Sequence, residues 1–213
     1  MVHLRAVASL IVGLAAAVAA SPEESWAPAL VTNRHDVFGG AAWSGQRLAL
    51  TLGPFDGNGQ GGRPDQTLAG GEVSVETRSG YVFSATQPTV GWLYAVSAAA
   101  GAWSGTGDAT YLAVAPRLAV GLGLWAQLTR DFRVELVPAL GAGLVFTQLK
   151  DSSRGIDEAA YARPFATLGG MAHGQVSLHG GSRIGAGLGY LHLGTPYLRP
   201  SGVVFSVFFG WER

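Results

Sequence analysis

The chain has 213 residues, a formal net charge of zero, 32 glycines and no cysteine, and only 13% of its residues are charged. Charged residues usually make up about a quarter of a soluble domain and glycine about 7%, so this is neither an ordinary soluble surface nor a disordered chain. The neutral balance leaves no nucleic-acid footprint, and the missing cysteine excludes disulfides, thiolate metal sites, thiol nucleophiles and a lipid-anchored N-terminus.

Residues 1–20 read as a signal peptide. Arg5 lies in a short basic start, Ala6 to Ala20 is an uncharged apolar run, and small residues end it before the polar Ser21-Pro22-Glu23-Glu24. The run is shorter than the roughly 20 apolar residues of a membrane anchor, and cleavage is expected near Ala20 or Ser21. Residues 21–41 carry two prolines after Ser21 and no convincing period, and read as a periplasmic N-terminal segment.

From residue 42 to 213 the dominant period is two. It predicts eight strands, at 42–54, 70–85, 90–103, 109–126, 131–149, 161–178, 183–194 and 202–212. Successive strand residues point to opposite faces. In the second segment Val73, Val75, Tyr81 and Phe83 share a face opposite Glu72, Glu76 and Arg78. In the fifth, Phe132, Val134, Leu136, Leu140, Leu144 and Phe146 oppose Arg133, Glu135, Gly141 and Gly143. The last sets Val203, Phe205, Val207, Phe209 and Trp211 against Ser206, Gly210 and Glu212. Throughout, the charged face is also the small, Gly-rich face. A soluble barrel would place large apolar residues inside; here they belong outside, against lipid.

The expected architecture is therefore all-β, an eight-stranded antiparallel up-and-down transmembrane barrel. Backbone groups in lipid must be paired within the protein, which requires a closed sheet. The gaps alternate in length. Asp56 to Ala69 and Lys150 to Ala160 are long, Ser104 to Asp108 and Thr195 to Ser201 are medium, and Gln87 to Thr89, Gln127 to Arg130 and His179 to Ser182 are tight. Short periplasmic turns and longer outer loops follow the usual rule for such barrels. An interfacial aromatic belt is expected from Phe83, Trp92, Phe132 and Trp211 at the periplasmic edge and from Phe146, Tyr190 and Phe205 nearer the outer edge.

This pattern resembles the small eight-stranded outer-membrane proteins, the group of the outer-membrane protein A transmembrane domain and the OmpX and OmpW-like proteins. The resemblance covers about 42–212. The final run Val203-Val204-Phe205-Ser206-Val207-Phe208-Phe209-Gly210-Trp211 resembles the C-terminal signal read by the barrel assembly machinery, followed here by Glu212 and Arg213. It implies a monomer of the bacterial outer membrane, in contact with its lipid and lipopolysaccharide.

The inward charges predicted to form a lumen network are Arg47, Glu72, Glu76, Arg78, Arg117, Arg133, Glu135, Arg163 and Arg183, with Glu212 as a further candidate. Guanidinium and carboxylate pair through two hydrogen bonds, so the expectation is a salt-bridged plug and a structural or surface-interaction role. A narrow channel for small solutes is the alternative, and a lipid A-modifying outer-membrane enzyme is a third, less favoured one.

No catalytic residue, cofactor or metal is expected. His173, Ser177 and His179 share one face of a strand, but the His-x-Ser pattern of outer-membrane lipid A deacylases, with a glutamate on the next strand, is absent. A strand places His173 and His179 about 20 Å apart, too far to share a metal. Asp56 to Asp65 resembles a calcium loop faintly, without its ligand order or closing glutamate. Gly185-Ala186-Gly187-Leu188-Gly189 is no nucleotide motif, since no helix follows.

Overall fold

The computed structural model describes residues 42–59, 65–84, 87–105, 109–153, 155–178, 181–195 and 198–212. The expected signal peptide and periplasmic segment lie outside the described residues, as do His179 and residues 60–64 of the Asp56–Asp65 stretch. Eight strands follow in chain order: β1 (Trp43–Gly59), β2 (Gln66–Ser84), β3 (Gln87–Gly105), β4 (Ala109–Gln127), β5 (Phe132–Asp151), β6 (Ile156–Ser177), β7 (Ser182–Leu193) and β8 (Leu198–Glu212). Each pairs antiparallel with the next, and β8 pairs with β1, so the sheet closes into a barrel.

Register sets the dimensions. Following paired residues once round, from Gln46 through Thr77, Val96, Val120, Leu140, Leu168, His192 and Ser201, returns to β1 at Asp56, ten residues from the start. With eight strands and ordinary strand spacing, that stagger gives a tilt of about 40° and a radius of about 8 Å. Side chains fill an interior this narrow. Each step to the next strand also raises the paired residue by about 3 Å along the axis, which orders the interior by height.

Alternation decides which residues fill it. On β5, Arg133, Glu135, Val137, Val145, Thr147 and Leu149 are buried while Leu136, Leu140, Leu144 and Phe146 are exposed. Leu118, Val120, Leu122 and Leu124 of β4, with Leu128 beyond its end, all face outward and are more than half exposed. They cover about 25 Å of axial height at strand rise and tilt. Val203, Phe205, Val207 and Phe209 of β8 and Leu48, Leu50 and Leu52 of β1 continue this band. Soluble monomers rarely expose contiguous apolar patches beyond a few hundred Å².

The eight predicted strands are present, and most run further at one end of the barrel, here called the outer end. Several stretches read as loops from their Gly, Asn and Asp content are strand. β1 continues to Gly59, β2 begins at Gln66, β6 begins at Ile156 and β8 begins at Leu198. The reason lies in the buried face of these extensions. Phe55, Leu68, Leu149 and Leu198 point inward and are at most 2% exposed, whereas Asp56, Asn58, Thr67, Lys150, Asp157 and Arg199 point outward. The outer end is thus apolar inside and polar outside, the reverse of the band below it.

Glycine makes room for this interior at two places. A Cβ on Gly80 would run into the Trp43 indole, and one on Gly101 into the ring of Trp103. Both large rings lie over glycine on a neighbouring or nearby position of the wall, where any side chain would compete for the same space.

Candidate functional site: the barrel interior

The charged interior is gathered toward the opposite end, called the periplasmic end after the expected orientation, where β2, β4, β6 and β8 finish. Five strands bring its members together. Arg47 Nε lies 2.9 Å from Glu76 Oε1, and Arg78 Nε lies 2.9 Å from the same oxygen. Arg78 Nη1 reaches Glu135 Oε2 at 2.6 Å, and Arg133 Nε donates to Glu135 Oε1 at 3.0 Å. Arg133 also pairs with Glu212, and Arg183 Nε meets the other Glu212 oxygen at 2.5 Å. Cation and anion alternate along a continuous chain: Glu76, Arg78, Glu135, Arg133, Glu212, Arg183.

Glu135 is the hub. Its side chain is fully buried, and it accepts from Arg133 and, at 2.7 Å, from Gln175 Nε2, while facing Arg78. A carboxylate so deep is tolerated because one oxygen accepts two N–H groups and the other faces the Arg78 guanidinium. The indole of Trp43 floors the network, with the Arg133 guanidinium 3.8 Å from its ring centroid and Trp125 packed edge-on at 6.1 Å. Trp125 is held in turn by hydrogen bonds from Nε1 to the Trp92 and Tyr81 carbonyls.

A second ion pair stands alone, roughly 15 Å further toward the outer end by the strand stagger. Arg117 grips Glu72 through two N–H groups, Nε at 2.9 Å and Nη2 at 2.5 Å, and its Nη1 reaches Thr167 Oγ1 at 3.5 Å. Above it the interior turns apolar. Phe55, Leu68, Trp103, Tyr111, Val145, Leu149, Phe165, Leu193 and Leu198 form one buried cluster. Thr195, just beyond β7, is buried against it. It lies 3.2 Å from the Tyr111 hydroxyl of β4, across the barrel, and donates to the Leu198 carbonyl at 2.5 Å. The mouth is closed there by packed side chains.

Of the nine predicted network residues, the structure brings eight into these ion pairs, together with Glu212. Arg163 is the exception and is a correction: its side chain is exposed. A bulge shifts the β5–β6 register between Val145 and Thr147, and Ala162 beside it takes a positive φ of 49°. This stretch of β6 also rises past its last partner on β7, since the pairing of Thr167 with Leu193 is the outermost one. Arg163 therefore opens to solvent.

Residues outside the prediction join the network. His173 is buried, lies within 3.5 Å of Arg47 Nη2 and packs edge-on against Phe208. The signal in the sequence is its position: His173 and Gln175 sit two apart on the inward face of β6. Ser177 shares that face at the strand end. Asp65 accepts a hydrogen bond from the Gly59 backbone N–H at 2.7 Å, which makes it a staple across the β1–β2 connection. Among the described residues no cluster of three or more potential metal ligands occurs.

The aromatic residues assigned to a belt all face outward. By register, Trp92, Phe132 and Trp211 lie within about 5 Å of one level and Phe83 somewhat below it; Tyr190 and Phe205 also come level with each other. Phe146 stands roughly 15 Å above that second pair. Trp92 stacks on Tyr81 with ring centroids 4.3 Å apart, a pair that thickens the periplasmic edge.

No protein-family model and no curated protein sequence matches the chain. Among solved structures, the chain is similar to Ail, the attachment invasion locus protein of Yersinia pestis, with 14% identity, 80% of this chain and 98% of that chain covered, and a TM-score of 0.43. Neisserial surface protein A gives 12% identity over 78% and 95% of the two chains, with a TM-score of 0.42. Outer membrane protein OprG from Pseudomonas aeruginosa gives 14% over 84% and 99%, with a TM-score of 0.40.

Proposed function

We propose that this chain is a closed β-barrel of a Gram-negative outer membrane, with a structural and surface-interaction role and no transport or catalysis. The observation that carries this reading is the filled interior: an alternating arginine–glutamate chain below, an isolated ion pair in the middle and a packed apolar cluster above. A cavity of about 10 Å³ beside Arg47, Arg78 and Arg183 is room for about one water. A solute path would have to break several buried ion pairs and leave charges uncompensated.

Location in a membrane is supported by the outward apolar band of about 25 Å, the height typical of outer-membrane barrels, and by the closed hydrogen bonding of all eight strands. Lipid is the partner of that band. A groove of about 510 Å³ on the wall, lined by Phe83, Trp92, Leu122, Leu124, Leu136 and Pro138, has the apolar lining an acyl chain requires. Lipopolysaccharide is the expected neighbour at the outer edge, and the alternating apolar face of β8 the signal for the assembly machinery. The projecting polar rim is then the surface presented to the outside. The barrel acts as a monomer, since its band meets lipid all round.

Reconstitution into planar bilayers tests the reading. The expected result is insertion with no step conductance in molar salt. Discrete, reproducible channel openings from the folded protein would overturn it in favour of a channel.

A further inference from the structure

The ion pairs do not balance. Glu72 and Arg117 neutralise each other. Among the described residues the periplasmic cluster then holds four guanidinium groups, on Arg47, Arg78, Arg133 and Arg183, against three carboxylates, on Glu76, Glu135 and Glu212. His173 adds no negative charge. An uncompensated cation in a buried site is costly.

The excess has a location. The cavity of about 10 Å³ is lined by Arg47, Arg78, Arg183, Gln46, Gln175 and Glu212, with Phe208 and glycine backbone closing it. Its charged lining is three cations to one anion, and that anion, Glu212, is already shared by Arg133 and Arg183. Arg78, whose side chain is only 2% exposed, keeps Nη2 without a hydrogen-bond partner among the described residues, and Arg183 keeps Nη1 in the same condition. Buried N–H groups of charged side chains are rarely left so.

We infer that this cavity is a binding site for one monatomic anion of halide size, chloride in the cell, held between Arg78, Arg183 and the Gln175 amide. The volume admits a sphere about the size of a water molecule and excludes phosphate, sulfate or a carboxylate ligand. Water fits the space but leaves the extra positive charge standing. The ion completes the salt-bridged plug proposed above and so rests on that reading; conductance tests the plug, and a different measurement tests the ion.

Crystals of the folded barrel soaked in bromide would provide that measurement by anomalous scattering. The expected result is a peak between Arg78 and Arg183 that disappears in R183Q and persists in R199Q, which alters an exposed arginine of the outer rim. R183K serves should R183Q fail to fold, and is expected to weaken the peak. Clear density for both arginines with no anomalous peak between them would overturn the proposal and leave water in the site. A peak unchanged in a folded Arg183 variant would also overturn it.

Discussion

The interior of this barrel has two halves built on opposite principles. Toward the periplasmic end the inside is charged and the outside apolar; toward the outer end the inside is apolar and the outside polar. Leu124 and Leu136 face out level with Arg78 and Arg47 inside, while Asp56 and Lys150 face out around Phe55 and Leu149. The strands cross from one regime to the other without interruption, because backbone pairing is indifferent to which face is greasy. On the function proposed above, what changes is the solvent outside. Lipid rewards outward aliphatics and leaves the lumen to ion pairs, whereas water rewards the ordinary apolar core. The pairing of interior and exterior is the trace of two solvents on one sheet.

If so, the two halves should fail differently. The largest loss is expected for E135A, which strips the hub from Arg78, Arg133 and Gln175 and leaves guanidinium groups buried without a counter-charge. The expected destabilisation is about 5 kcal/mol, the upper range for breaking a buried pair, read as a shift of the urea midpoint in lipid vesicles or micelles. In the apolar half, W103A should cost about 3–4 kcal/mol through the cavity it leaves, and its cost should persist in molar salt. A salt-sensitive W103A would break the distinction between the halves.

The outside obeys the same division. L122R places a charge at mid-band and should cost about 2–4 kcal/mol in a bilayer, while N58R on the projecting rim should be near neutral. Equal costs at the two positions would mean that the apolar band does not face lipid. The smallest effect is expected for R163A, within about 0.5 kcal/mol, as its side chain is exposed beside the bulge. A loss comparable with that of R133A would show that Arg163 carries a buried pair after all.

Much of this was legible in a period of two. Alternation in 72–83, 131–149 and 203–211 assigns faces without reference to any other strand, and a one-residue slip would have reversed every one of them. The outer extensions were not legible for a local reason. Asp56-Gly57-Asn58-Gly59 has the composition of a turn, and only the inward run of Phe55, with Leu68 across the hairpin, makes it strand. Composition and phase conflict there, and packing decides. Network membership was half legible. Parity placed Arg78 and Glu135 inside, but their ion pair joins residues far apart in sequence through the closure of the barrel. Arg163 went astray because β6 runs past the end of β7 there, so a residue that keeps inward parity opposite Val145 meets solvent instead of the lumen. His173 was weighed for metal and catalysis and passed over as a packing partner for arginine.

The exchange of polarity between the halves is open to a direct reading, because the chain contains no cysteine. Single cysteines introduced at Val120, Leu140, Asn58 and Lys150 would carry nitroxide labels in proteoliposomes. Their collision rates with oxygen, which enters lipid, and with a water-soluble nickel complex would report each environment. The account predicts high oxygen and low nickel accessibility at Val120 and Leu140, and the reverse at Asn58 and Lys150. Nickel accessibility at all four positions alike would contradict it.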